Sequence, residues 1–70
     1  METAGTVKWY NPDKGFGFIA PESGGKDVFV HATALGRSGL AMLSEGQRVF
    51  IESGQGKKGP EVRSIRIRED

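Results

Sequence analysis

Hydrophobic and polar positions alternate in two neighbouring runs, Lys14-Gly15-Phe16-Gly17-Phe18-Ile19 and Asp27-Val28-Phe29-Val30-His31. In an extended strand, side chains two apart share a face, so Lys14, Phe16 and Phe18 project one way while Gly15, Gly17 and Ile19 project the other. In the second run Phe29 and His31 oppose Val28 and Val30. Parity alone permits either face to be the core. Burying the phenylalanines would carry Lys14, Asp27 and His31 inward with them, and charged groups are seldom buried without partners. Ile19, Val28 and Val30 are therefore the expected inward side chains, which leaves three phenylalanines, a lysine and a histidine on the outer face. The glycines between the phenylalanines fit a strand whose inner face lies close against another layer.

The rest of the chain supplies three more strands. Residues 5–11, rich in Thr, Val, Trp and Tyr, form the first, closed by the turn residues Asn11-Pro12-Asp13, with residues 1–4 as a loose end. Alternation groups Trp9 with Val7, on the core side if Val7 is core; a bulge or strong twist would release it, so periodicity leaves the side of Trp9 open. The two alternating runs become strands over 14–20 and 26–31, joined by Glu22-Ser23-Gly24-Gly25 into an antiparallel hairpin. Ala32 to Leu35 is long enough for one helical turn, and Leu35, Leu40, Met42 and Leu43 are expected to cover the end of the core. A fourth strand spans 46–53 with Phe50 facing either way, and a fifth spans 59–68 with an irregularity between Val62 and Ile65, where alternation breaks. Five short strands with one interruption after the third predict a single all-β domain over residues 1–70, a small closed or partly open barrel.

Composition sharpens the question of the outer face. A chain of 70 residues buries only about 60% of its unfolded surface and is marginally stable. It has no cysteine and one histidine, so neither disulfides nor a zinc site supports the core. Each phenylalanine left in water forgoes about 1.5 to 3 kcal/mol of burial, which points to a ligand for that face. Net charge is +1 and does not by itself announce a polyanion partner. Its distribution says more: residues 1–31 carry three basic and four acidic side chains, residues 32–70 seven basic and five acidic. Lys57, Lys58, Arg63, Arg66 and Arg68 make the C-terminal part locally basic. No apolar run is long enough to span a membrane and no signal-peptide pattern follows Met1; the absence of cysteine fits a reducing cytoplasm.

Two chemistries are considered and set aside. Gly54-Gln55-Gly56-Lys57-Lys58-Gly59 matches G-x-G-x-x-G, but the dinucleotide motif opens a helix, whereas Pro60 and the alternation after it indicate a strand; a basic hairpin loop is expected. Asp27 and His31 share a face but lie roughly 13 Å apart on an extended strand, too far for a catalytic pair. No catalytic residues, metal or cofactor are expected.

Lys8-Trp9-Tyr10-Asn11, Lys14-Gly15-Phe16-Gly17-Phe18-Ile19, Asp27-Val28-Phe29-Val30-His31, Glu45-Gly46-Gln47 and Gly59-Pro60 resemble the cold-shock domain, including its two ribonucleoprotein-type motifs, in order and spacing from about residue 5 to residue 65. The short connection after His31 is more similar to bacterial members. The resemblance implies a five-stranded antiparallel Greek-key barrel of the oligonucleotide-binding type. It also implies a monomeric, cytoplasmic binder of single-stranded RNA or DNA, often described as an RNA chaperone. By position it assigns the binding surface to Lys8, Trp9, Lys14, Phe16, Phe18, Phe29 and His31, and so moves Trp9 to the outside. Lys57, Lys58 and Arg63 are added as auxiliary phosphate contacts on their charge. The chain departs from the family at Ala32 and Leu40, where another aromatic is common, so two stacking positions are absent. A barrel gripping a peptide or a subunit through the same aromatic patch is the alternative.

Overall fold

The computed structural model describes residues 2–57 and 59–68. The elements are β1 (Glu2–Asn11), β2 (Phe16–Pro21), β3 (Val28–His31), a short helix α1 (Ala32–Arg37), β4 (Arg48–Gly56) and β5 (Gly59–Ile67). They close into a barrel in the order β1-β2-β3-β5-β4. Four seams are antiparallel, but β3 and β5 run parallel and meet at the pair Phe29 and Glu61. The expected five-stranded antiparallel barrel is present, with one parallel seam for a geometric reason. Strand directions that alternate around a closed ring of five cannot match at every seam, so one must be parallel.

That parallel seam is short, and α1 fills what it leaves open. Ser38, following α1, accepts a hydrogen bond through Oγ from the Ile65 amide at 3.0 Å, which satisfies a strand donor that has no neighbour there. Ala34 and Leu35 of α1 are buried. His31 caps the helix, its Nδ1 accepting from the Thr33 amide at 3.2 Å.

The core is Val7, Ile19, Val28, Val30, Ala34, Leu35, Leu43, Val49, Ile51, Val62 and Ile65. It is wholly aliphatic: among the described residues no aromatic ring is fully buried. Tyr10, Leu40 and Ile67 pack partly against it, while Met42, expected over its end, is 54% exposed.

Strand boundaries differ from the expected ones where backbone chemistry overrides side-chain pattern. Glu2 to Ala4, read as a loose end, pair with Glu52 to Phe50 and form the seam that closes the barrel. Lys14 and Gly15 lie in a turn rather than in β2: the Asn11 carboxamide accepts from the Asp13 and Lys14 amides at 2.9 and 3.2 Å, and Gly15 takes φ +75°, a left-handed conformation that favours glycine. The third strand begins at Val28 rather than at 26. The G-x-G-x-x-G segment is mostly strand, with Gly54 to Gly56 pairing with Glu61 to Gly59.

Candidate nucleic-acid interface

Two bulges decide which side chains face outward. In the β1–β2 ladder Val7 pairs with Ile19 but Trp9 pairs with Phe18, so Lys8 is an extra residue that resets the parity of β1. Val7 is consequently buried while Trp9, two residues on, is 38% exposed on the outside. In the β4–β5 ladder Glu52 pairs with Ser64 but Ser53 with Val62, so Arg63 is the extra residue. That lets Val62 and Ile65, three apart, both point inward.

The outward rings form one continuous layer across β1, β2 and β3. Trp9 lies 5.7 Å from Phe16 and 5.4 Å from Phe18, both steeply inclined. Phe18 faces Phe29 directly across the β2–β3 ladder, with centroids 5.7 Å apart, and Phe16 approaches Phe29 at 5.9 Å with an interplanar angle of 30°. His31 completes the row 6.4 Å from Phe29. These separations are those of mutually supporting aromatic pairs. Phe16, Phe18 and Phe29 are half-buried, so each braces its neighbours and keeps part of its ring in water.

Gly17 makes this layer possible. It is buried between Phe16 and Phe18, and a Cβ there would run into the carbonyl oxygen of Trp9 and come within 2.7 Å of the Tyr10 Cα. Only glycine lets β1 approach closely enough for Trp9 to join the β2 rings.

Cations sit around the rings. Lys8, pushed out by the bulge, places Nζ 2.9 Å from Asp27 Oδ2 across the barrel surface. Lys14 is exposed at the tip of the β1–β2 turn. Lys57 and Arg63 lie on the β4–β5 hairpin, outside the ring cluster and joined to it through the Phe29–Glu61 bridge; Lys58 lies outside the described residues. Thus Lys8, Trp9, Phe16, Phe18, Phe29 and His31 are gathered on one surface, with Lys14 at its margin.

A second aromatic–basic cluster is not among the expected sites. Phe50, flanked by buried Val49 and Ile51, faces outward beneath Arg66, whose guanidinium carbon is 4.4 Å from the ring centroid, and Arg68 at 5.5 Å. Arg66 donates two hydrogen bonds of 2.9 Å to Glu2, and Arg68 donates one to Glu22. The Arg66 hydrogen bonds hold the Glu2 carboxyl below its ordinary pKa, and Glu2 raises that of Arg66. Parity with Val49 and Ile51 was the available signal for Phe50.

Among the described residues no group of three His, Cys, Asp or Glu side chains could hold a metal ion, and no helix is long and apolar enough to cross a membrane. The family profile that matches is the 'Cold-shock' DNA-binding domain, over residues 3–67. The chain belongs to the cold-shock DNA-binding domain family. It is 56% identical over 62 residues to the probable cold shock protein A of Mycolicibacterium smegmatis, an alignment covering 89% of this chain and 92% of that protein. Identity to the cold shock-like protein CspE of Escherichia coli is 54% over 61 residues, covering 87% and 88%. Against the cold shock-like protein CspA of Bordetella pertussis it is 49% over 67 residues, covering 96% and 98%. Members of this family are nucleic-acid-binding proteins and not enzymes, and this cold-shock domain carries its exposed rings on the two motif strands and β1.

Proposed function

We propose that this cold-shock domain binds single-stranded RNA or DNA with little sequence preference, as a cytoplasmic monomer, and opens RNA secondary structure without ATP, acting as an RNA chaperone or a cold-shock or translation regulator. The observation that carries this is the partition of side chains: an aliphatic core inside and a continuous row of five rings outside. A marginal domain that leaves its rings in water gains by covering them with a flat apolar partner, and unstacked bases are such partners.

Each ring has a defined part. Bases stack on Trp9, Phe16, Phe18, Phe29 and His31, while Lys8 and Lys14 neutralise phosphates; Lys57, Lys58 and Arg63 add auxiliary contacts only to strands that extend past the ring row. Lys8 must share its ammonium between Asp27 and a phosphate. An exposed ion pair of this kind is worth about 1 kcal/mol or less, so the exchange is easy. Stacking accepts any base, which keeps sequence preference weak.

Magnitudes set the limit on strand opening. A base gains about 1 to 3 kcal/mol on an aromatic ring, against a mean of about 1.4 kcal/mol per step in duplex DNA. The two are close, so the domain traps helices that open locally and leaves long perfect duplexes intact. No ATP enters, because binding only the open form shifts the equilibrium by mass action. Ala32 and Leu40 reduce the platform, but not equally. Ala32 is exposed beside the row, whereas Leu40 leans on the core and its amide donates to the Leu35 carbonyl at 2.8 Å.

A hairpin oligonucleotide carrying a fluorophore and quencher at its ends tests the proposal. Added protein without nucleotide should raise the fluorescence of a short, mismatched hairpin and leave a long perfect one dark; a weak hairpin that stays closed at saturating protein would contradict it.

A further inference from the structure

Arg63 occupies an unusual place on the outer face of the β4–β5 hairpin. As the extra residue of the β5 bulge it projects outward. Its guanidinium occupies the space that a side chain on Gly54 would fill, with Cζ and Nη2 each 2.8 Å from where that Cβ would stand. Glycine at 54 therefore acts as a shelf that holds the guanidinium against the strand. The next two arginines along the chain answer to carboxylates, Arg66 of β5 to Glu2 and Arg68, just past its end, to Glu22. Arg63 has no carboxylate partner among the described residues, and Glu61 lays its own side chain over Gly56 instead.

The position is continuous with the aromatic row. Glu61 pairs with Phe29 across the parallel seam, and Arg63 is two residues further along β5. Strand spacing and rise place its Cα about 8 Å from that of Phe29. Ser64, the next residue of β5, lines a groove of about 290 Å³ together with Phe50, Arg37 and the paired Arg66 and Glu2. A flat, exposed, uncompensated guanidinium suits both a phosphate oxygen pair and the face of a base.

We infer that a single strand longer than the aromatic row continues over the β3–β5 seam onto the outer face of the β4–β5 hairpin, with Arg63, seated on Gly54, as its first contact there. This rests on the single-strand function proposed above and extends the occupied surface beyond β1–β3. The cation at residue 63 then adds to affinity only when the strand is long enough to reach it.

Arg63→Gln, titrated with oligothymidylates of about 4 and about 12 nucleotides, within the usual range of site sizes for such barrels, separates the outcomes. The short oligomer should bind the variant and the wild type alike. For the long one, affinity at low salt should fall several-fold, and the slope of log K against log salt should become shallower by about 0.7, the value for one lost phosphate contact on a single strand. Gly54→Ala is the second variant: the nearest atoms its methyl would meet all belong to the Arg63 guanidinium, so the barrel folds while the guanidinium is lifted off its shelf. It should weaken long-oligomer binding alone. An unchanged slope for the long oligomer in Arg63→Gln, or an equal loss at both lengths, would overturn the inference. If Phe16→Ala and Phe18→Ala instead leave both lengths bound as tightly as before, it is the aromatic platform that fails.

Discussion

Replacing Phe29 by alanine separates the folding role of the ring row from its binding role. Phe29 is half-buried and lies within 6.4 Å, centroid to centroid, of Phe16, Phe18 and His31. A fully buried phenylalanine costs about 3 to 5 kcal/mol on truncation to alanine, so half burial, with the lost ring pairs included, gives about 2 kcal/mol here. For 70 residues the expected total stability is about 3.5 to 10 kcal/mol. The variant therefore keeps at least about 1.5 kcal/mol and is at least about 90% folded, a deficit that lowers apparent affinity by about a tenth at most. Loss of one stacked base, at about 1 to 3 kcal/mol, lowers affinity about 5- to 150-fold. Fluorescence anisotropy of a labelled single-stranded oligonucleotide, read beside a urea titration of the free protein, measures both quantities. Phe29→Leu is the control: it restores apolar contact without a ring face, so stability should recover by more than half while affinity stays low. Equal affinity in Phe29→Ala and wild type, or a loss that Phe29→Leu fully repairs, would refute stacking at this ring.

Three further outcomes are expected. Gly17→Ala should lose about 1 to 3 kcal/mol of stability or more, because its methyl meets backbone atoms of Trp9 and Tyr10 that cannot give way; a thermal melt like that of wild type would contradict the close approach of β1 and β2. Ala32→Phe should raise single-strand affinity, by up to about 1 to 3 kcal/mol, whereas Leu40→Phe should lower stability without a matching gain, since Leu40 packs on the core; calorimetric titration of the two variants distinguishes them. Glu2 has its carboxyl pKa lowered by Arg66, so its contribution to stability is present above the unfolded-state pKa and fades as pH falls through the lower folded value. Urea midpoints of Glu2→Gln should thus fall slightly below wild type at neutral pH and converge with it in strong acid; a constant gap across that range would contradict the pairing.

Particular residues show where the sequence was legible. Phe16, Phe18 and Phe29 face outward and Ile19, Val28 and Val30 inward, as alternation weighed against the cost of burying charge requires. Parity could not settle Trp9, because the extra residue Lys8 resets the phase of β1 and such a bulge leaves no mark on a single strand's pattern. The break between Val62 and Ile65 was visible, since both ends of that bulge carry core side chains. Glu2 to Ala4 gave no signal: their place in the barrel comes from backbone pairing with β4, and no apolar alternation accompanies it. The parallel β3–β5 seam follows from counting strands around a ring. The groups that hold it, Ser38 against Ile65 and α1 over the gap, could be found only by knowing which strands are neighbours.

Trp9 lies within 5.7 Å of Phe16 and Phe18 in the ring row, and its emission therefore reports on the surface to which stacking is assigned. The most direct measurement is that emission during titration with matched single-stranded and duplex oligonucleotides at low and high salt. Single strands should quench it, with affinity that weakens as salt rises, and duplexes should leave it nearly unchanged. Equal quenching by both forms, or binding that leaves Trp9 emission untouched, would contradict the account.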